Sequence, residues 1–145
     1  MKTVIQRVRQ ATVTVDGETV GAIDQGLLVF IGVEQQDTTE NADQLIRKLL
    51  QLRIFADVDG KMNLNVQDIT GGLLLVSQFT LAAEVKKGNR PGFSRAASPE
   101  KAKNLYDYIV QTVKKRHEPV ASGIFAADMQ ILLINDGPVT FIIES

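Results

Sequence analysis

Asn135-Asp136-Gly137-Pro138-Val139-Thr140, running directly into Phe141-Ile142-Ile143-Glu144-Ser145, is the stretch on which the reading of this chain turns. Proline lacks the N–H that a sheet ladder needs, so a Gly-Pro pair between two apolar runs marks an edge or a turn. It is also an X-Pro bond, the one kind of peptide for which cis geometry costs little. The plain reading is a tight connection between two C-terminal strands, over residues 129–134 and 139–144. The sharper reading is a rigid wall of a binding site. The residues upstream decide between them.

Ser98-Pro99 opens a helix in the favoured way, with serine as N-cap and proline at the first helical position. Ala102, Leu105, Tyr106, Ile109, Val110 and Val113 keep helical spacing, and Lys114-Lys115-Arg116-His117 suits the negative end of the helix dipole. A second amphipathic helix is expected over 38–52. It would start at Asp37-Thr38-Thr39-Glu40, with Asp37 as N-cap and Glu40 three residues on, and bury Ala42, Leu45, Ile46, Leu49 and Leu50. The remainder reads as strands. Residues 3–15 alternate in part and meet residues 18–23 across Asp16-Gly17, a strong hairpin signal. Residues 27–33 and 73–76 are continuous apolar runs, expected of strands buried on both faces. Arg53-Ile54-Phe55 reads as a short strand before a turn at Asp57-Val58-Asp59-Gly60. That turn echoes a calcium loop, but the later acidic ligands are missing at the required spacing, and no metal site is expected there. Residues 84–95 are polar, basic and rich in Gly and Pro, and read as a loop. Strand-rich with two helices, the chain is expected to be α+β, one domain over residues 1–145.

Composition narrows the function classes. Net charge is −1 and the sequence pI is about 5.8, so no global positive field advertises a nucleic-acid partner, although a local patch would suffice to grip one RNA end. The chain has no cysteine, which excludes disulfides, thiolate catalysis and cysteine-ligated zinc. Arg7 interrupts the start where a signal peptide needs its apolar core, and no apolar run approaches the roughly 20 residues that span a bilayer. A soluble cytoplasmic protein is expected, with no membrane association.

The chain is short of catalytic side chains. Its one histidine, His117, sits in a basic helix tail and is expected to serve the helix end. Ser-His-Asp and Cys-His arrangements have no other histidine to use, and no phosphate loop, dinucleotide fingerprint or zinc-binding helix motif appears. The best candidate is Ser77-Gln78-Phe79-Thr80, where a buried apolar strand gives way to hydrogen-bonding side chains at what is expected to be a sheet edge. Backbone N–H groups released from the ladder there would suit a developing oxyanion. The alternative is a polar strand end satisfied by neighbouring loops.

Ser77-Gln78-Phe79-Thr80-Leu81 together with Asn135-Asp136-Gly137-Pro138-Val139-Thr140 resembles the paired signature motifs of the D-aminoacyl-tRNA deacylases. The resemblance runs the whole length, through Val4-Ile5-Gln6-Arg7-Val8, Gly26-Leu27-Leu28-Val29, Arg53-Ile54-Phe55, Gly60-Lys61-Met62-Asn63-Leu64, Arg90-Pro91 and Ala126-Ala127-Asp128-Met129. It implies a barrel-like β-sheet core with two helices, a homodimer with its active site at the subunit interface, and hydrolysis of the ester joining a D-amino acid to the 3′ end of a tRNA. Mischarged glycyl-tRNA is an expected second substrate. No cofactor or metal is implied. Gly137-Pro138 is expected to be cis and to exclude L-side chains sterically from the partner's site, with Arg7 bracing the turn and Asn135 beside it. Ser77, Gln78, Phe79 and Thr80 are the catalytic expectation, with Phe79 and Thr80 amides as oxyanion donors and the tRNA 2′-hydroxyl assisting. Thr80 as a nucleophile is disfavoured, since no base to activate it is visible. Lys86, Lys87, Arg90 and Arg95 are assigned to phosphate contacts. Ile124 and Gly92 depart from the common pattern, which touches loop contacts and not the reaction. The competing readings are a related freestanding editing domain of different specificity, a non-catalytic tRNA-binding module and a plain dimerisation protein.

Overall fold

One long strand, β1 (Lys2–Val15), is the spine of the molecule. The computed structural model describes residues 1–86 and 88–145; Lys87, assigned above to a phosphate contact, lies outside the described residues. Asp16 and Gly17 both take positive φ and return the chain as β2 (Glu18–Ile23), so the hairpin expected from Asp-Gly forms. β3 (Gly26–Gly32) then pairs antiparallel with the first half of β1 while β2 occupies the second half. α1 (Thr39–Gln51) leads to a small ribbon, β4 (Phe55–Ala56) and β5 (Met62–Leu64), and then to β6 (Gly72–Ser77). α2 (Pro99–Lys114) follows, then a three-residue strand not foreseen from the sequence, β7 (Val120–Ser122), and finally β8 (Gln130–Glu144).

The sheet runs β2-β1-β3-β6-β7, with β8 on the free side of β1. β6 is parallel to both β3 and β7, and each of these pairs is joined through a helix. The sheet curls until its far edges nearly meet: a Cβ placed on Gly21 of β2 would stand 2.9 Å from the Ser122 carbonyl oxygen of β7. The result is a nearly closed, barrel-like sheet with two helices in a single domain, α+β as expected. On β3 and β6, Leu27, Val29, Ile31, Leu73 and Leu75 face Leu45, Ile46, Leu49, Ile109 and Val113 of the helices. The alternate residues Leu28, Leu74 and Val76 face inward against Val8, Ala11, Val13 and Ile23. Both faces are therefore buried, which is why these strands read as unbroken apolar runs. Each fully buried aliphatic side chain contributes about 1.5–3 kcal/mol.

Several local expectations change. The N-cap of α1 is Thr38, whose amide donates to the Asn41 carboxamide oxygen at 2.9 Å. Asp37 is instead buried, and its carboxylate accepts from the Met1 ammonium and the Glu34 amide, each at 2.6 Å. A buried carboxylate is held by a charge more strongly than by a helix end. His117 lies beyond the last turn of α2, buried, with Nε2 2.6 Å from the Gly71 carbonyl oxygen, so it ties the helix exit to the start of β6 rather than complementing a dipole in solvent. The strand expected at 53–55 begins only at Phe55, because Ile54 gives its carbonyl to Arg7 and not to a ladder.

The largest correction concerns the C-terminus. It is not two strands joined by a turn but one strand, β8, paired with β1 over nearly its whole length. Val8 faces Asn135 and Gln6 faces Thr140, so the four residues 136–139 stand opposite Arg7 alone and bulge out of the ladder. The Gly137-Pro138 and Glu118-Pro119 peptides are cis.

Candidate active site

β6 ends at Ser77 because its neighbours end. β7 follows it only to Leu75, and β3 only to Ile31 opposite Ser77. The polar residues thus lie at the carboxyl end of an interior strand, not at the sheet edge expected above. Gln78 donates its amide to the Ile31 carbonyl at 2.8 Å, and the chain then coils into a 3-10 turn, Phe79–Ala82. Phe79 and Thr80, first in that turn, have amides with no acceptor inside it. The turn packs against Gly32: a Cβ there would lie 2.9 Å from the Gln78 carbonyl oxygen and 2.8 Å from Leu81 Cβ. Only glycine admits so close an approach of backbone to backbone.

Ser77, Gln78 and Phe79 line a cavity of about 530 Å³. Its remaining walls are largely apolar: Ile31 and Val76 of the strands, Val33 just past β3, Ala97, Pro99, Ala102 and Tyr106 at the start of α2, and the loop before β8 from Phe125 to Met129, where Asp128 is the charged exception. Ala126 in that loop holds φ at +61°, a left-handed conformation rare for a residue with a side chain. Tyr106 donates its hydroxyl to the Leu75 carbonyl at 2.8 Å, and burial pushes its ionisation far above the ordinary tyrosine range. Its ring meets Phe125 with centroids 6.1 Å apart. At the rim, exposed Phe79 leans on Phe93 of the following loop, with centroids 5.1 Å apart. Tyr106 and exposed Asp128 are the ionisable side chains of the lining, and among the described residues neither hydrogen-bonds Ser77, Gln78 or Thr80.

Thr80 is exposed and outside the lining. Its hydroxyl oxygen accepts from Gln78 Nε2 at 2.7 Å. A carboxamide takes up no proton at neutral pH in either orientation, so this pairing positions the threonine without activating it.

The other candidate group is assembled elsewhere. In the bulge of β8, Asn135 acts as an internal clamp: its Oδ1 accepts from the Val139 amide at 2.8 Å, and its Nδ2 donates to the Val139 carbonyl and Thr140 Oγ1, each at 3.2 Å. Arg7 Nε donates to the Asp136 carbonyl at 2.9 Å and its Nη1 to the Ile54 carbonyl at 2.6 Å, tying the bulge to the ribbon. Val139 is buried beneath, while Gly137 and Pro138 are exposed at the crest. A Cβ on residue 137 would fall 2.5 Å from the Val139 amide nitrogen, so the crest requires glycine. Arg7, Asn135, Gly137 and Pro138 do not line the chain's own cavity. The structure brings Ser77, Gln78 and Phe79 together at one place and Arg7, Asn135, Gly137 and Pro138 at another.

Of the loop cations, Arg95 is engaged with Glu34 at 3.1 Å, while Lys86 and Arg90 are exposed. Sequence reasoning does not identify the cavity walls around Tyr106 and Phe125. Their aromatic and aliphatic side chains look like core in a linear reading, and the 126–129 run stands out there for resemblance alone and not for chemistry.

A model of the family described as D-Tyr-tRNA(Tyr) deacylase matches residues 4–144. A D-aminoacyl-tRNA deacylase of Cellvibrio japonicus (strain Ueda107) is 59% identical over 140 residues, covering 97% of this chain and 96% of that protein. One of Pseudomonas savastanoi pv. phaseolicola is 57% identical over 145 residues and covers both chains completely. Among solved structures, one described as a c-Myc DNA unwinding element binding protein superposes with a TM-score of 0.95 at 42% identity, covering 100% of this chain and 99% of that one. A probable eukaryotic D-amino acid tRNA deacylase superposes with a TM-score of 0.85 at 19% identity, covering 98% and 97%, a likeness of fold.

Proposed function

The chain belongs to the D-Tyr-tRNA(Tyr) deacylase family, and on that footing we propose how it hydrolyses the ester between a D-amino acid and the 3′ end of tRNA. The observation that carries the reading is the separation of the two halves of the site. A cavity floored by Ser77, Gln78 and Phe79 lacks a rigid polar wall, while the same chain presents one, Gly137-Pro138, outward on a clamped bulge. Two copies would complete each other, the crest of one entering the cavity of its partner. The outward face of β8 favours such a pairing, since Leu132, Ile134 and Ile142 are exposed.

In this reading the terminal adenosine and the amino acid occupy the cavity, with the ester carbonyl against the free amides of Phe79 and Thr80. Those amides stabilise the oxyanion as water adds to the carbonyl, a contribution of about 3–4 kcal/mol per donor in comparable sites. The proton of the attacking water passes by way of the ribose 2′-hydroxyl, and the ester oxygen leaves as the ribose hydroxyl. Ser77 and Gln78 hold the substrate's polar atoms and Thr80 is held by Gln78, so positioning is the protein's main contribution. The partner's crest fills the direction an L-side chain would take. A D-residue presents hydrogen there, and so does glycine, so mischarged glycyl-tRNA passes the same filter. Arg7 and Asn135 keep that wall in place. Exposed Lys86 and Arg90 remain suited to tRNA phosphates, and action on tRNA puts the enzyme in the cytoplasm.

The test is deacylation of D-tyrosyl-, L-tyrosyl- and glycyl-tRNA by wild type and by Arg7→Ala. Wild type should cut the D- and glycyl-esters alone, and Arg7→Ala should lose discrimination against the L-ester. An Arg7→Ala enzyme that keeps full discrimination would show that the clamped wall plays no part in chirality.

A further inference from the structure

The second half of α1 and the segment after it form a cleft of about 430 Å³ lined by Gln44, Arg47, Lys48, Gln51, Leu52 and Arg53. Three cations and two carboxamides line it, and no carboxylate does, in a chain whose net charge is −1. Arg47 and Lys48 are exposed and enter no ion pair with the described residues. Arg53 is fixed in place by donating Nε to the Asn63 carbonyl at 2.6 Å and Nη2 to Asn63 Oδ1 at 3.1 Å. A guanidinium held by two hydrogen bonds, flanked by two exposed cations and by amide donors, matches the oxygens of a phosphodiester backbone.

The position of the cleft matters as much as its charge. α1 and α2 begin side by side, where Asp37 and Thr38 meet Ser98 and Lys101, and the start of α2 also lines the cavity. The cleft runs along the second half of the 13-residue α1, about 8–20 Å from that end along the helix axis. There it adjoins the crest: Arg53 precedes Ile54, whose carbonyl is held by Arg7, which also holds Asp136 next to Gly137. Wherever the crest docks, the cleft goes with it.

We propose that this cleft binds the phosphate backbone of the tRNA whose 3′ end lies in the partner subunit's cavity. The inference rests on the hydrolase reading above and extends it to where the RNA runs. Each catalytic unit would then use one subunit for the ester and the other for both the chiral wall and the phosphates, so tRNA affinity and chirality checking come from the same docking event.

The test is the double variant Arg47→Gln/Lys48→Gln, assayed in two ways. Affinity for uncharged tRNA, measured against salt, does not depend on whether the ester is cut. It should weaken about tenfold, with the slope of log K against log[salt] reduced by about two, one for each phosphate no longer neutralised. Arg47→Lys/Lys48→Arg, which keeps the charges, should restore both. With D-tyrosyl-tRNA, KM should rise while kcat holds; with a 3′-O-D-tyrosyl adenosine, which lacks the stem, neither should change. Unchanged tRNA affinity and slope would overturn the inference while leaving the hydrolase reading intact. An equal loss on both substrates would overturn it too, by showing a damaged site. A wild type that binds tRNA through the cleft but cuts no ester would instead defeat the hydrolase reading.

Discussion

At Thr80 the hydroxyl oxygen accepts from the Gln78 carboxamide at 2.7 Å, and among the described residues no basic side chain is hydrogen-bonded to it. Thr80→Ala should keep kcat/KM within about tenfold of wild type in a deacylation assay; a loss of about a thousandfold or more would restore threonine as the nucleophile. Asn135 has a different task. The resemblance puts it among the substrate-binding residues, but its side chain makes all its described hydrogen bonds inside the bulge, to Val139 and Thr140. Asn135→Ala should lower stability by about 1–2 kcal/mol in urea unfolding and raise cleavage of L-esters relative to D-esters. A variant as stable and as selective as wild type would show that the crest holds itself. Ala126 holds positive φ in the cavity wall, so Ala126→Gly should stabilise the protein by up to about 1 kcal/mol.

At the scale of elements, the site depends on a strand ending where its neighbours end and on the glycine beneath it. Gly32→Ala would press on the Gln78 carbonyl and Leu81 and displace the turn that carries the Phe79 and Thr80 amides. A shift of that size should cost about a hundredfold in kcat, beside about 1–3 kcal/mol of stability lost to the overpacked contact. An unchanged kcat would mean that those amides do not touch the reaction. The elements are also where legibility of the sequence varies. The Asp16-Gly17 hairpin, the serine–proline start of α2 and the doubly buried strands are readable because each signal is local. β7 is not, since three half-buried residues carry no periodicity and are ordered by parallel pairing with β6. Asp37 reads as a cap, yet it binds the Met1 ammonium at the start of β1, 36 residues away in sequence. Ser77, Gln78 and Phe79 are legible as a candidate group, but the aromatic walls of the cavity they line are not, because a cavity lined by Tyr106 and Phe125 is spelled with the same letters as a core. The bulge in β8 is hidden because the ladder that defines it is made with β1, more than a hundred residues away.

Over the whole molecule, one chain carries a cavity without a rigid polar wall and a clamped wall outside that cavity. On the proposed pairing of two copies, activity should follow dimer formation. Ile142→Lys, which puts a charge on the exposed face of β8, should give a folded monomer by sedimentation with deacylation reduced in proportion to the dimer lost. A fully active monomer would require the crest to act within its own chain. The measurement that bears most directly on a chirality-checking deacylase is the rate at which purified protein deacylates D-tyrosyl-tRNA beside L-tyrosyl-tRNA. The D-ester should be lost rapidly and the L-ester should survive. Loss of both at similar rates would leave a deacylase but contradict the chiral wall at Gly137-Pro138, and survival of both would contradict the hydrolase reading as a whole.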